Sequence, residues 1–215
     1  MNETRIKVCG ITCLEDARKC FSLGVDYLGV IFADSPRKVS METVRMIRTA
    51  LPRARLVGVF VDAPLEFVAR VVEHCGLDLV QLHGSETPAY CEKLFEAASI
   101  PIIKAVSPGS ESRIGALGEY GEAHYFLFDL DKANAYPFRS SEERAGSLDM
   151  LWQAAAQASA EGYRVFLAGG LDASNVRSCM STVDPFCIDV CRGVERQPGI
   201  KDEDLLERFI AEVRT

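Results

Sequence analysis

The chain has 215 residues, 48% of them apolar and 26% charged, which excludes collagen-like, low-complexity and disordered classes and leaves an ordinary folded domain. Its net charge of −7 argues against a general nucleic-acid binder, whose affinity rests on cations facing phosphates, but leaves room for a small anionic substrate held by local cations. No apolar run reaches the length of a membrane span, MNETRIKVCGIT lacks the basic start and apolar core of a secretion signal, and AEVRT carries no lipidation signal, so a cytoplasmic protein without membrane or nucleic-acid partners is expected.

Short β-branched runs alternate with stretches of helical period along the whole chain. In order, strand Arg5–Cys9 leads to helix Cys13–Leu23, Tyr27–Phe32 to Met41–Ala50, Arg55–Val61 to Leu65–Cys75, and Leu77–Leu82 to Pro88–Ala97. Then Pro101–Val106 leads to Glu111–Gly118, Tyr125–Asp129 to Ala145–Ala160, Arg164–Ala168 to Ala173–Thr182, and Phe186–Val190 to Asp202–Val213. Runs such as Leu28–Phe32 are too continuous for half-exposed strands and read as strands covered on both faces. Val44, Ile47, Ala50 and Leu51, with arginines between them, have helical spacing. Eight βα units predict a single α/β domain over residues 1–215, a closed (β/α)8 TIM barrel. The alternative, an open doubly wound sheet, usually has fewer strands. The longest stretch outside the pattern, Leu130–Arg144, is expected to be a functional loop.

Barrels of this kind place their chemistry at the C-terminal ends of the strands. Those ends carry Lys7, Cys9, Phe32, Asp62, His83, Lys104, Asp129, Gly169, Gly170, Asp189 and Arg192. Lys7 and Cys9 are two apart and share a face. An ammonium beside a thiol favours the thiolate, which suits Cys9 to act as a general base, against the plainer reading of a buried Cys beside a layer-capping Lys. Asp129 follows three apolar residues, so desolvation suits it to act as a general acid, with Asp131 on the same face; the alternative is the start of a polar loop. Gly169-Gly170 after strand seven and Arg192-Gly193 after strand eight sit where such barrels bind phosphate, aided by the next helix N-terminus, although a lone Gly-Gly is also an ordinary tight turn. Arg37, after strand two, suits a bidentate carboxylate contact or is a solvated loop arginine. His83, in the Val80-Gln81-Leu82-His83-Gly84 string, suits a binding or structural role. The eight cysteines form no CxxC pair, so reduced thiols are expected and no metal site is read from them.

KVCGIT (7–12), SPRKVS (35–40), VGVFVD (57–62), VQLHG (80–84), FLFD (126–129), LAGGLDASNV (167–176), DVCRGVE (189–195) and PGIKD (198–202), in this order, resemble the phosphoribosylanthranilate isomerases of tryptophan biosynthesis. The resemblance runs from strand one to the last helix. It implies an Amadori rearrangement of N-(5-phosphoribosyl)anthranilate without metal or organic cofactor. By that likeness Asp129 protonates the furanose oxygen and Cys9 takes the C2 proton. Arg37 holds the anthranilate carboxylate, Asp189 lies near the bridging amine, and the amides around Gly169, Gly170 and Gly193 hold the phosphate. Lys7, Gln81 and His83 are assigned to the substrate site with them, and Arg192 to the phosphate. The only partner implied is the small phosphorylated substrate, with the chain a monomer or a homodimer.

Two departures stand out. The family's Gly-Gly-Thr-Gly-like stretch after the strand-six Asp is absent from Leu130–Met150, and two serines before Gly-Val-Glu are replaced by Cys191-Arg192. Arg192 is expected to supply charge where loop amides are missing. The rival readings are a diverged isomerase of another phosphorylated aminosugar and a non-catalytic barrel that binds a phosphometabolite.

Overall fold

The computed structural model describes residues 4–107, 116–130 and 141–215. Eight parallel strands close into a barrel in chain order: β1 (Arg5–Cys9), β2 (Tyr27–Ile31), β3 (Leu56–Phe60), β4 (Leu79–Leu82), β5 (Ile102–Val106), β6 (Ala123–Phe128), β7 (Val165–Leu167) and β8 (Cys187–Val190). Around it lie α1 (Leu14–Ser22), α2 (Met41–Ala50), α3 (Leu65–Cys75), α4 (Pro88–Ala98), α5 (Ser141–Ala160), α6 (Val176–Val183) and α7 (Glu203–Arg214). The sheet is closed because β1 pairs on both sides: Lys7 is in register with Tyr27 of β2 and with Asp189 of β8. The barrel expected from the repeat is therefore the one found, not the open sheet.

Period-two alternation sorts the strand residues into two apolar clusters. Tyr27, Val57, Leu79, Ile103, Leu127, Phe166 and Cys187 fill the barrel interior. Their neighbours, among them Ile6, Leu28, Leu56, Val80 and Ile188, pack outward against the helices. Helix starts are set by polar side chains that accept otherwise unpaired backbone N–H groups. Ser40 accepts from the Thr43 amide at 3.1 Å, Thr87 from Tyr90 at 3.3 Å and Asp202 from Leu205 at 3.0 Å. None of the described helices is long and apolar enough to cross a membrane.

Three differences from the sequence reading matter. The helix expected over 111–118 falls mostly outside the described residues, and Leu117–Glu119 is a single 3-10 turn. The loop expected over 130–144, with Asp131, also lies largely outside them. Third, a small antiparallel hairpin, β9 (Glu195–Gln197) and β10 (Ile200–Lys201), follows β8. It is pinned to the barrel rim by Thr12, whose hydroxyl donates to the Gly199 carbonyl at 2.5 Å, and by Asp16, which accepts from the Lys201 amide at 2.9 Å.

Candidate active site

A cavity of about 400 Å³ opens at the C-terminal ends of the strands, within the size range of small-molecule sites. Cys9 reaches it from β1, Gln81 from β4 and His83 from just past it, Asp129 from the end of β6, and Asp189 from β8. Arg37 enters from the loop after β2. Gly169, Gly170, Arg192 and Gly193 form its β7–β8 side.

Lys7 is not on the cavity surface. Its side chain is fully buried beneath the floor, where Nζ donates to Asp189 Oδ2 at 2.7 Å. Burial pulls its pKa down, but Asp189 and then Cys9 more than reverse this, so the ammonium is held above its usual range. Lys7 therefore reaches a ligand only through Asp189 and Cys9. Its effect on the thiol has the expected sign but is outweighed. Burial pushes the Cys9 pKa above the ordinary thiol value; the Lys7 and Lys201 ammoniums pull it down, with Asp189 opposing them, and burial prevails. The ammonium beside the thiol is already matched by a carboxylate that β8 brings into register.

Asp129 is less enclosed than its apolar neighbours suggested, with a side chain 24% exposed. One carboxylate oxygen accepts from the Leu130 amide at 2.8 Å, and the other lies 3.5 Å from His83 Nε2. His83 Nδ1 in turn lies 2.8 Å from the Gln81 amide nitrogen. Two buried oxygens at the cavity, Gln81 Oε1 and Asp189 Oδ1, have no hydrogen-bond partner among the described residues. A buried acceptor without a donor is costly, so both are suited to a ligand that brings N–H or O–H groups.

Arg37 is paired rather than solvated. It donates from Nε and Nη2 to the Glu195 carboxylate at 2.9 and 2.6 Å. The same carboxylate accepts from Lys201 Nζ at 2.9 Å and the Gly199 amide at 3.1 Å. Lys201, itself buried, also donates to the Cys9 carbonyl at 2.6 Å and the Cys191 carbonyl at 3.2 Å. Sequence spacing alone points to no role for Glu195, in the Gly-Val-Glu string, or Lys201, in the Pro-Gly-Ile-Lys-Asp string; their order around Arg37 and Cys9 is a product of the hairpin. Asp62 and Lys104, also strand-end residues, face away from the cavity chemistry. Asp62 accepts from the Ser85 amide at 2.7 Å, and Lys104 donates to the Gly84 carbonyl at 2.7 Å and to Glu86 at 3.0 Å. Phe32 stacks on Phe60 at 5.2 Å.

On the β7–β8 side, Gly169 and Gly170 turn the chain with φ of 95° and 71°, a region that side chains other than glycine enter at a cost. The helix after them begins at Val176, later than the sequence suggested, because Asp172 and Asn175 first close a turn. Asp172 accepts from the Ser174 amide at 2.8 Å, and Asn175 accepts from the Asp172 amide at 3.0 Å. The amides nearest the cavity thus belong to the glycine turn and to the 3-10 turn Arg192–Val194. These two turns touch: a Cβ on Gly193 would lie 2.1 Å from the Leu171 carbonyl oxygen. Gly193→Ala is therefore expected to pry the turns apart, with a loss of about 1–3 kcal/mol in urea unfolding, typical of overpacking against backbone, and weaker binding of phosphorylated ligands. Unchanged unfolding and unchanged affinity would contradict this contact.

The eight cysteines are free thiols, and the described residues hold no group of His, Cys, Asp and Glu arranged for a metal ion.

Comparison with known proteins agrees with this layout. A family model described as N-(5'phosphoribosyl)anthranilate (PRA) isomerase matches residues 6–212. The N-(5'-phosphoribosyl)anthranilate isomerase of Geobacter sp. (strain M21) is 41% identical over 213 residues, covering 98% of each chain. The crystal structure of phosphoribosyl anthranilate isomerase from Thermotoga maritima superposes with a TM-score of 0.85 at 35% identity over 98% of each chain. A phosphoribosyl anthranilate isomerase in complex with reduced 1-(o-carboxyphenylamino)-1-deoxyribulose 5-phosphate superposes with a TM-score of 0.80 at 34% identity, also over 98% of each chain. The family match spans the barrel from β1 into α7 and includes every strand end that builds the cavity, and the chain belongs to the N-(5'-phosphoribosyl)anthranilate isomerase family.

Proposed function

We propose that this cavity performs the family's reaction of tryptophan biosynthesis, converting N-(5'-phosphoribosyl)anthranilate to 1-(2-carboxyphenylamino)-1-deoxyribulose 5-phosphate, with Asp129 as general acid and Cys9 as general base. The observation that carries the assignment is that these two groups line one cavity from different strands, the arrangement a 1,2-proton shift needs if acid and base are separate groups. Asp129 gives its proton to the ring oxygen as the C1–O bond breaks and the nitrogen lone pair forms C=N. The Cys9 thiolate then removes the C2 proton, and that electron pair becomes the C1=C2 bond of an enolamine. Loss of the O2 proton and gain of a proton at C1 complete the ketone. No metal or organic cofactor enters these steps.

The rest of the cavity supports the same reading. Asp189 Oδ1, buried and unpartnered, suits the N–H of the bridging amine. Arg37 spends one edge on Glu195, which leaves Nη1 for the anthranilate carboxylate. The glycine turn, Gly193 and Arg192 suit the phosphate. Either a monomer or a homodimer serves, because one chain supplies all the cavity residues named here.

The test is turnover of phosphoribosylanthranilate generated in situ, followed by loss of its fluorescence. A folded wild-type protein that does not exceed the spontaneous rate would overturn the reading. Arg192→Ala is expected to raise KM by about ten- to a hundredfold, the loss of a charged hydrogen bond, with kcat changed far less. An unchanged KM would remove Arg192 from the phosphate site.

A further inference from the structure

We propose that Gln81 is a positioning residue: it selects the Nε2–H tautomer of His83, and the imidazole in turn orients the Asp129 carboxyl for proton delivery. This rests on Asp129 being the acid, and it adds two side chains that act through it.

The geometry starts at β4, which carries Gln81 and ends at Leu82, so that His83 follows two residues after Gln81 and both line the cavity. The His83 backbone is fixed, with its amide donating to the Phe60 carbonyl at 2.8 Å. The next residue is fixed as well, since the Gly84 amide donates to Glu86 at 3.0 Å. Gln81 is 2% exposed, and its amide nitrogen lies 2.8 Å from His83 Nδ1. An amide NH2 can only donate, so Nδ1 accepts and the imidazole proton sits on Nε2. Nε2–H then faces Asp129 Oδ2 at 3.5 Å, while Asp129 Oδ1 is held by the Leu130 amide at 2.8 Å. One carboxylate oxygen is thereby held by backbone, and the other lies within reach of a side chain of defined polarity. A 3.5 Å contact is loose, of the kind that tightens once substrate fills a site.

The unpartnered Gln81 Oε1 supplies the link to binding. A substrate hydroxyl that donates to Oε1 holds the amide in the orientation the chain of contacts requires. With the amide reversed, Oε1 would face Nδ1 and call for a proton there, which disconnects Nε2 of the neutral ring from Asp129. Occupancy of the sugar site and orientation of the acid are then one event. Among the described residues, charged groups of the neighbouring strand ends pair elsewhere. Lys104 on β5 pairs with Glu86 after β4 at 3.0 Å, and Asp62 after β3 accepts from the Ser85 amide.

The experiment is nitrogen NMR of the histidine rings in the intact chain, alongside kcat and KM against pH. Neutral His83 is expected as the Nε2–H tautomer in the wild type, and Gln81→Ala is expected to abolish that preference. Gln81→Ala should also lower kcat about tenfold or more, as misorientation of a reacting group does, beyond any rise in KM. Gln81→Glu should raise the His83 pKa by about one unit or more by placing a carboxylate at Nδ1, and move the acid limb of kcat the same way. Asp129→Asn should lower the His83 pKa whether or not the substrate is the one proposed. An Nδ1–H tautomer in the wild type overturns the proposal. So does a Gln81→Ala protein that loses only stability, with tautomer and pH profile unchanged. If the tautomer and the Asp129→Asn shift hold while phosphoribosylanthranilate is not turned over, the positioning role stands and the substrate assignment fails.

Discussion

Asp129→Asn is expected to lower kcat by about 10²–10⁴-fold, the range for loss of a general acid, while fold and substrate affinity stay close to wild type. The amide keeps the shape of the carboxyl and can still accept from the Leu130 amide, but it has no acidic proton for the ring oxygen. Because the side chain is 24% exposed, losing its charge should disturb stability little. Cys9→Ala is expected to cost a similar factor by removing the base. The two residues also differ in how pH should reveal them. Burial holds the Cys9 thiol above its ordinary pKa in the free protein, and the base is the thiolate. In Asp129→Asn, where the acid no longer titrates, residual kcat/KM should therefore climb as pH rises through neutrality, by up to about tenfold per pH unit. The rise should be absent from any residual activity of Cys9→Ala. The measurement is kcat/KM across pH for wild type, Cys9→Ala and Asp129→Asn. Retention of wild-type kcat by either variant would take that residue out of the reaction.

The tension in that pH dependence also shows which parts of the site were legible beforehand. Spacing alone put Lys7 and Cys9 on one face, and the structure keeps them there. Spacing could not give the net shift, because burial, which decides it, and Asp189, which arrives from β8 in register with Lys7, both come only once the barrel closes. The same holds for Gln81, His83 and Asp129. Gln81 lies on β4, His83 just past its end and Asp129 just past the end of β6, so their contact depends on the strand order. The barrel itself was readable because buried parallel strands are continuous apolar runs and the intervening helices have a distinct period. The hairpin Glu195–Lys201 was not, since strands of three and two residues carry no periodic signal. Its importance shows only in what it carries: a carboxylate for Arg37 and an ammonium for the Cys9 carbonyl.

That hairpin is where the largest loss of stability is expected. Glu195→Gln should destabilise the fold at neutral pH by about 3–5 kcal/mol, the cost of breaking a buried ion pair by removing one partner. The Glu195 side chain is 4% exposed and lies between Arg37 and the buried Lys201. Without its charge, Lys201 keeps, among the described residues, only the carbonyls of Cys9 and Cys191 as hydrogen-bond acceptors, and Arg37 loses its anchor. Burial by itself would raise the Glu195 pKa, but hydrogen bonds and charge from Arg37 and Lys201 hold it below the ordinary carboxylate value. A carboxylate whose pKa is lowered by folding stabilises the native state above its unfolded pKa, and that contribution fades as pH falls through the folded pKa. The gap between wild type and Glu195→Gln in urea unfolding should therefore be full near pH 7 and narrow once pH falls to about 4 and below. In turnover, the variant should show a raised KM, because an Arg37 no longer tethered is a poorer clamp for the substrate carboxylate. An unfolding gap of equal size at both pH values would mean that shape rather than charge makes Glu195 matter, and the assignment of a buried, charge-matched anchor for Arg37 would fail with it.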